Sequence, residues 1–153
     1  MIFRVRLVAV LLVASFAVAG TAAAVAATAG KDGLPTYVAG YEKWQRINKK
    51  PIVGGSSAHT GTKNVYTSKR KRGARFPAGT VIVKAGSQPG KKWIYLIAVM
   101  RKVKGSNPAA NDWQMVEYTR SSPTGTFSKL AEGQLCLSCH VGAKSNDYVF
   151  TRG

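Results

Sequence analysis

Two cysteines and a histidine close to the C-terminus, in the stretch Cys136-Leu137-Ser138-Cys139-His140, constrain this chain more than any other feature. They are its only two cysteines, and His140 is one of only two histidines. Residues i and i+3 share one face of a helix, so on a helix both sulfurs point the same way. Cys-x-x-Cys-His is the attachment signature of c-type haem. The two thiols reach the vinyl groups of one porphyrin, and the adjacent imidazole binds the iron axially. A disulfide is one alternative, and it leaves the histidine unexplained. Zinc is another, but it wants four ligands, and Cys136, Cys139 and His59 offer three. The expectation is one covalent haem c, held by Cys136, Cys139 and His140 on a C-terminal helix. Since only VGAKSNDYVFTRG follows the motif, the rest of the pocket must come from upstream.

A second iron ligand is hard to find. The tail holds neither Met nor His. Met100 and Met115 lie inside strand patterns and read as core. His59 sits in the loop PIVGGSSAHTG. An iron with one protein ligand binds small molecules, whereas an iron with two mainly passes electrons. Phe76, Phe127 and the aromatic residues of KKWIYLIAVMRKV are candidates, by residue type, for capping the open side.

The N-terminus reads as a secretory signal peptide over 1–27, with cleavage near 24–29. Arg4 and Arg6 precede an apolar run from Leu7, and small residues follow. The alternative is an uncleaved anchor, because residues 7–29 carry no charge and are long enough to span a bilayer. Either way the remainder, 28–153, is exported to the periplasm or an equivalent compartment as one domain. The formal charge is +17, with no acid between Glu42 and Asp112. Export argues against nucleic acid, so an acidic redox partner protein or an anionic surface is the partner that this field suits. The run Lys69-Arg70-Lys71-Arg72 reads as a solvated loop.

The fold class is α+β, an antiparallel sheet of about four to five strands with flanking helices. Tyr37, Tyr41, Trp44 and Ile47 line one face of a helix predicted over 36–48. TKNVYTS, GTVIVKAG, KKWIYLIAVMRKV and DWQMVEYT read as strands joined by Gly, Pro and Asn turns. The third is apolar on both faces, with Trp93, Tyr95, Ile97 and Val99 opposite Ile94, Leu96, Ala98 and Met100. Such a strand needs cover on both sides. Helices with a cofactor are one cover and a second copy of the chain is the other, which suggests a homodimer. TFSKLAEGQLCLSCH reads as helical, with Gly133 as a weak point.

The order KNVYTS, RFPAGTVIVK, the tryptophan of NDWQMVEY, CLSCH and the trailing DYVFTR resembles the cytochrome P-460 and cytochrome c′-beta family over most of the chain after its first segment. That resemblance implies a dimeric, mostly antiparallel protein whose haem c has His140 on its proximal side and an open distal face. Cytochromes P-460 are similar in carrying a lysine at the end of the GTVIVK strand, here Lys84, that cross-links to the porphyrin edge; they oxidise hydroxylamine. The c′-beta members bind nitric oxide and lack the cross-link. On alternation alone Lys84 reads as an edge charge, and only the resemblance gives it a role at the haem. Two departures stand out. A distal arginine of the family is replaced by Lys63, which keeps the charge but not the planar fork of donors. Its distal carboxylate is missing, since LIAVMRKV contains no acid; His59 is the candidate substitute, because histidine is the residue type suited to proton transfer near neutrality. The expected activity is haem-dependent oxidation of hydroxylamine or nitric oxide. Nitric oxide binding without turnover, and plain electron transfer, are the alternatives.

Overall fold

The computed structural model describes residues 28–55 and 59–152. The segment read as a signal peptide lies outside them. The described residues form seven antiparallel strands: β1 (Gln45–Arg46), β2 (Ile52–Val53), β3 (Thr62–Thr67), β4 (Val81–Ser87), β5 (Ile94–Lys102), β6 (Trp113–Thr119) and β7 (Ser128–Glu132). Their order in one sheet is β1-β3-β4-β5-β6-β7, with β2 also on β3. The four longest strands lie where alternation and turn residues place them. The count exceeds the expected four to five because β1 and β2 are two residues each and β7 hides in a stretch that reads as helical.

β1 and β2 flank one interruption on the outside of β3. There the side chain of Asn48 takes over from the strand backbone. Its amide oxygen accepts from the Val65 N–H at 2.7 Å, and its amide nitrogen donates to Asn64 Oδ1 at 3.1 Å. A buried backbone N–H that would lose its strand partner is thereby satisfied.

The helix expected over 36–48 does not form. Two 3-10 turns, Thr36–Val38 and Tyr41–Lys43, are separated by Gly40 at φ 70°, a left-handed conformation that stops a helix and that glycine adopts without a Cβ clash. The apolar residues still face inward. Leu34, Val38 and Tyr41 pack with Phe127 over Val83, Ile97 and Val99 on what we call the outer face of the sheet. The chain's own N-terminal segment thus supplies cover that the sequence left to a second copy.

The other, inner face gathers Val65, Ile82, Met100, Met115 and Trp113, with Tyr148 and Val149 of the tail. Trp113 is 1% exposed; removing a ring buried this deeply costs about 3–5 kcal/mol. Alternation along β5 holds from Leu96 onward. Before that, Gly86 pairs with Leu96 and Ser87 with Ile94, so Tyr95 is an extra residue in a bulge. Ile94 therefore joins the outer-face cluster instead of lying with Leu96.

The last helix is shorter than TFSKLAEGQLCLSCH suggests. Ser128–Glu132 is β7, Gly133 turns the chain at φ 58°, and α1 spans Gln134–His140. All of CLSCH lies on α1. Cys136 and Leu137 pack against the inner-face cluster.

Candidate functional site

The inner face carries three chemically active side chains over its centre. Lys84 of β4 pairs with Ala98 of β5, and Ala98 pairs with Glu117 of β6. Cross-strand neighbours on one face are close enough to interact. Ala98 is the small residue between two long ones, so both can lean over it. They meet at His59, whose Nδ1 is 2.7 Å from Lys84 Nζ and whose Nε2 is 2.9 Å from Glu117 Oε2. An ammonium only donates, so Nδ1 accepts, Nε2 carries the proton, and the imidazole donates to the Glu117 carboxylate. Burial pushes the Lys84 pKa down to about 8; Glu117 pulls it up, Lys63 pushes it down and Cys136 pulls it up. The sequence-predicted Lys84 and His59 thus come together.

Glu117 is the residue that sequence reasoning missed. A carboxylate was sought in β5, which has none; β6 supplies it one strand over. The signal was present. Glu117 shares its face with Trp113 and Met115, and an acid on an otherwise apolar strand face needs a partner. It is 7% exposed.

Lys63 does not do what the resemblance implies. Its side chain is buried, and its ammonium donates to the carbonyls of Gly54, His59 at 2.6 Å and Gly61 at 3.0 Å. Burial lowers its pKa. Its charge closes the loop that carries His59, so it positions the imidazole and presents no free cation to a ligand. Gly55 makes room for this clamp: a Cβ there would lie 2.6 Å from the His59 carbonyl oxygen.

α1 adds the other components. Cys136 and Cys139 are free thiols, the first half-buried and the second exposed. Burial, then Glu117, raise the Cys136 pKa, and Lys84 lowers it. His140 donates from Nδ1 to the carbonyl oxygen of Tyr148 at 2.7 Å. With Nδ1 engaged, Nε2 is left as the metal-binding nitrogen, the arrangement seen in most histidine ligands. Burial lowers the His140 pKa, the Tyr148 bond raises it, and the charges of Lys84 and His59 lower it again. Burial thus favours the neutral form that ligates a metal. Cys136 and Leu137 pack on the inner-face cluster, so α1 lies on the same face of the sheet as Lys84 and Glu117.

A haem fits these residues. Leu135 and Val141, on and just after α1, and Phe150 in the tail are exposed apolar side chains. The Phe150 ring stands edge-on to the imidazole with centroids 5.3 Å apart. On the inner face the buried indole N–H of Trp113 has no partner among the described residues. Zinc fits less well, because among the described residues no three His, Cys, Asp or Glu side chains cluster to hold a metal ion. Met100 and Met115 are core, as expected. Phe127 is corrected: it lies on the outer face, across the sheet from α1. Phe76 lies in the inner-face cluster, edge-on against Trp113 at 6.0 Å. A cavity of about 430 Å³ lined by Tyr37, Arg101, Tyr118 and Lys129 contains none of the predicted site residues.

No curated protein matches the chain. The family model described as Cytochrome P460 matches residues 38–151, from the first 3-10 turn through the tail beyond His140. That span holds the whole sheet, His59, Lys84, Glu117 and CLSCH, so the chain belongs to the cytochrome P460 family and is a haem cytochrome.

Proposed function

We propose that this is an exported, mono-haem c-type cytochrome that oxidises hydroxylamine or a related nitrogen oxide. Cys136 and Cys139 would hold the haem covalently, and His140 Nε2 would ligate its iron. The single observation that carries the reading is the Lys84–His59–Glu117 chain. The haem supplies an iron with an open position and a path for electrons. Both ring nitrogens of His59 are engaged, and both core methionines are packed away, which supports five-coordinate iron. Oxidising hydroxylamine sheds protons, and a base must take them. His59 is that base. Its Nδ1 lone pair faces Lys84, and Glu117 behind Nε2 fixes the tautomer and stabilises the imidazolium, as a carboxylate does for any base it orients. The His59 side chain is 22% exposed, so the proton has a route to solvent.

The test is steady-state oxidation of hydroxylamine with an artificial electron acceptor. Turnover supports the reading. Tight nitric oxide binding with no turnover points to capture instead, and low-spin ferric iron without added ligand points to electron transfer.

In this reading Lys84 is the residue that would bond the porphyrin edge. Such a bond replaces one N–H and one ring C–H by C–N, a two-electron oxidation that an added peroxide can drive. The intact mass should then fall short of simple haem addition by two hydrogens, and Lys84→Ala should restore an ordinary c-type spectrum. Only the free amine is nucleophilic. With a pKa of about 8, its free-base fraction rises from about 9% at pH 7 to about 90% at pH 9. Cross-linking of haem-loaded protein by peroxide should therefore quicken about tenfold over that range. A rate flat in pH removes Lys84 from the step.

The basic surface fits an acidic redox partner near this site. Lys71 donates to Asn146 Oδ1 at 2.6 Å, which ties the Lys69–Arg72 loop to the turn after His140. Electron transfer to an acidic protein should slow several-fold between about 0.02 and 0.5 M salt, because the Debye length shrinks from about 20 Å to about 4 Å. A small neutral acceptor should show no such slope. A homodimer belongs to the same reading. Its contact would be the β7 edge, where Leu130 is exposed; a monomer in sedimentation at micromolar concentration removes it.

A further inference from the structure

The tail after α1 is held in a conformation that needs an explanation. Asp147 and Tyr148 both have positive φ, 56° and 64°. A left-handed L-residue costs roughly 1–2 kcal/mol, and for a bulky tyrosine it is a true outlier. Two such residues in succession reverse the chain after the Val141–Asn146 turn. The reversal carries the Tyr148 carbonyl back to His140 Nδ1, at 2.7 Å.

What holds the reversal is the Asp147 carboxylate, 3% exposed. It accepts from the Phe76 N–H at 2.7 Å, from the Lys102 ammonium at 2.7 Å and from the Asn111 amide. These donors come from the segment before β4, the end of β5 and the segment before β6. Tyr148 is pinned as well: its N–H donates to Ala143 at 2.9 Å and its hydroxyl to the Ala109 carbonyl at 2.9 Å. Among the described residues, the only bond these groups make toward the site is the one from His140 to the Tyr148 carbonyl.

We infer that Asp147 is a positioning residue for the proximal histidine, acting through the Tyr148 carbonyl. This rests on His140 ligating the haem iron. Strain is kept where structure over-determines it, and here three segments of the sheet fix one carbonyl against one imidazole. A hydrogen bond from Nδ1 makes the ring a more basic ligand and sets its orientation. A more basic ligand favours ferric over ferrous iron. Asp147 therefore holds the reduction potential down and the iron–histidine bond strong, without touching the haem.

The test uses holoprotein of wild type, Asp147→Asn, and the double variant Lys102→Met/Asp147→Asn, which leaves no buried lysine unpaired. Tyr148→Phe, which removes only the hydroxyl's anchor on Ala109, serves as the mildest perturbation. The readouts are the iron–histidine stretching band of the ferrous form and the reduction potential from a spectroscopic titration. The expected result is a lower stretching frequency and a higher potential in every variant that folds, smallest in Tyr148→Phe. Unchanged band and potential in the folded variants overturn the inference, whatever happens to Tm, because a merely structural Asp147 would move only Tm. A wild-type protein with no iron–histidine band would sink the five-coordinate reading on which this readout depends, a distinct failure.

Discussion

Glu117→Gln is expected to lower hydroxylamine turnover by about 10²–10⁴ while leaving the haem spectrum unchanged. Glutamine keeps the size and can still touch His59 at Nε2. It presents an amide in place of a carboxylate, so it neither holds the imidazole in one tautomer nor stabilises its positive form. His59→Gln should cost a similar factor, and the double variant little more than either single one, because the two act as a unit. Losses that add in full would mean that the residues act separately. Unchanged turnover in Glu117→Gln would remove the relay. The pairing of a spectrum with a rate matters here, since a variant that had lost haem would lose both.

Lys102→Met is expected to destabilise the protein by about 3 kcal/mol and to lower Tm by roughly 10 °C. The Lys102–Asp147 pair is 2.7 Å apart with almost no solvent contact. Removing one member leaves a carboxylate buried with two neutral donors. That is costly, although the Phe76 N–H and the Asn111 amide place the loss toward the low end of the usual range. Neutralising both members in Lys102→Met/Asp147→Asn should recover most of the loss, because exchanging an entire buried pair is often close to neutral. Chemical denaturation of the three proteins checks this. Equal losses in the single and double variants would show that the ammonium's stacking on Trp113, 5.0 Å from the ring centroid, matters more than the ion pair.

The central sheet was legible because its strands carry the period of two and are bounded by turn residues. The edges were not. Residues 36–48 have helical spacing, and the one residue that prevents a helix, Gly40, is tolerated in many helices; only its left-handed φ shows the break. Ser128–Glu132 has five residues, too few for periodicity to separate strand from helix. At the site, Cys136, Cys139 and His140 were readable from spacing, and Lys84 from resemblance plus alternation. Glu117 needed the register, since nothing in the sequence says which residue of β6 lies beside Ala98. The role of Lys63 is likewise tertiary, because an ammonium bound to three carbonyls looks in sequence like any other lysine.

The meander from β3 to β7 has a kinetic consequence. Each of its strands pairs with the next in the chain, so the sheet can grow strand by strand in chain order. CLSCH follows all of these strands. The body of the protein can thus form before either thiol is modified, and haem attachment becomes the capping of an existing scaffold. Apoprotein produced without haem should retain its β-sheet circular dichroism and protect the amides of β4 and β5 from exchange, while α1 exchanges faster.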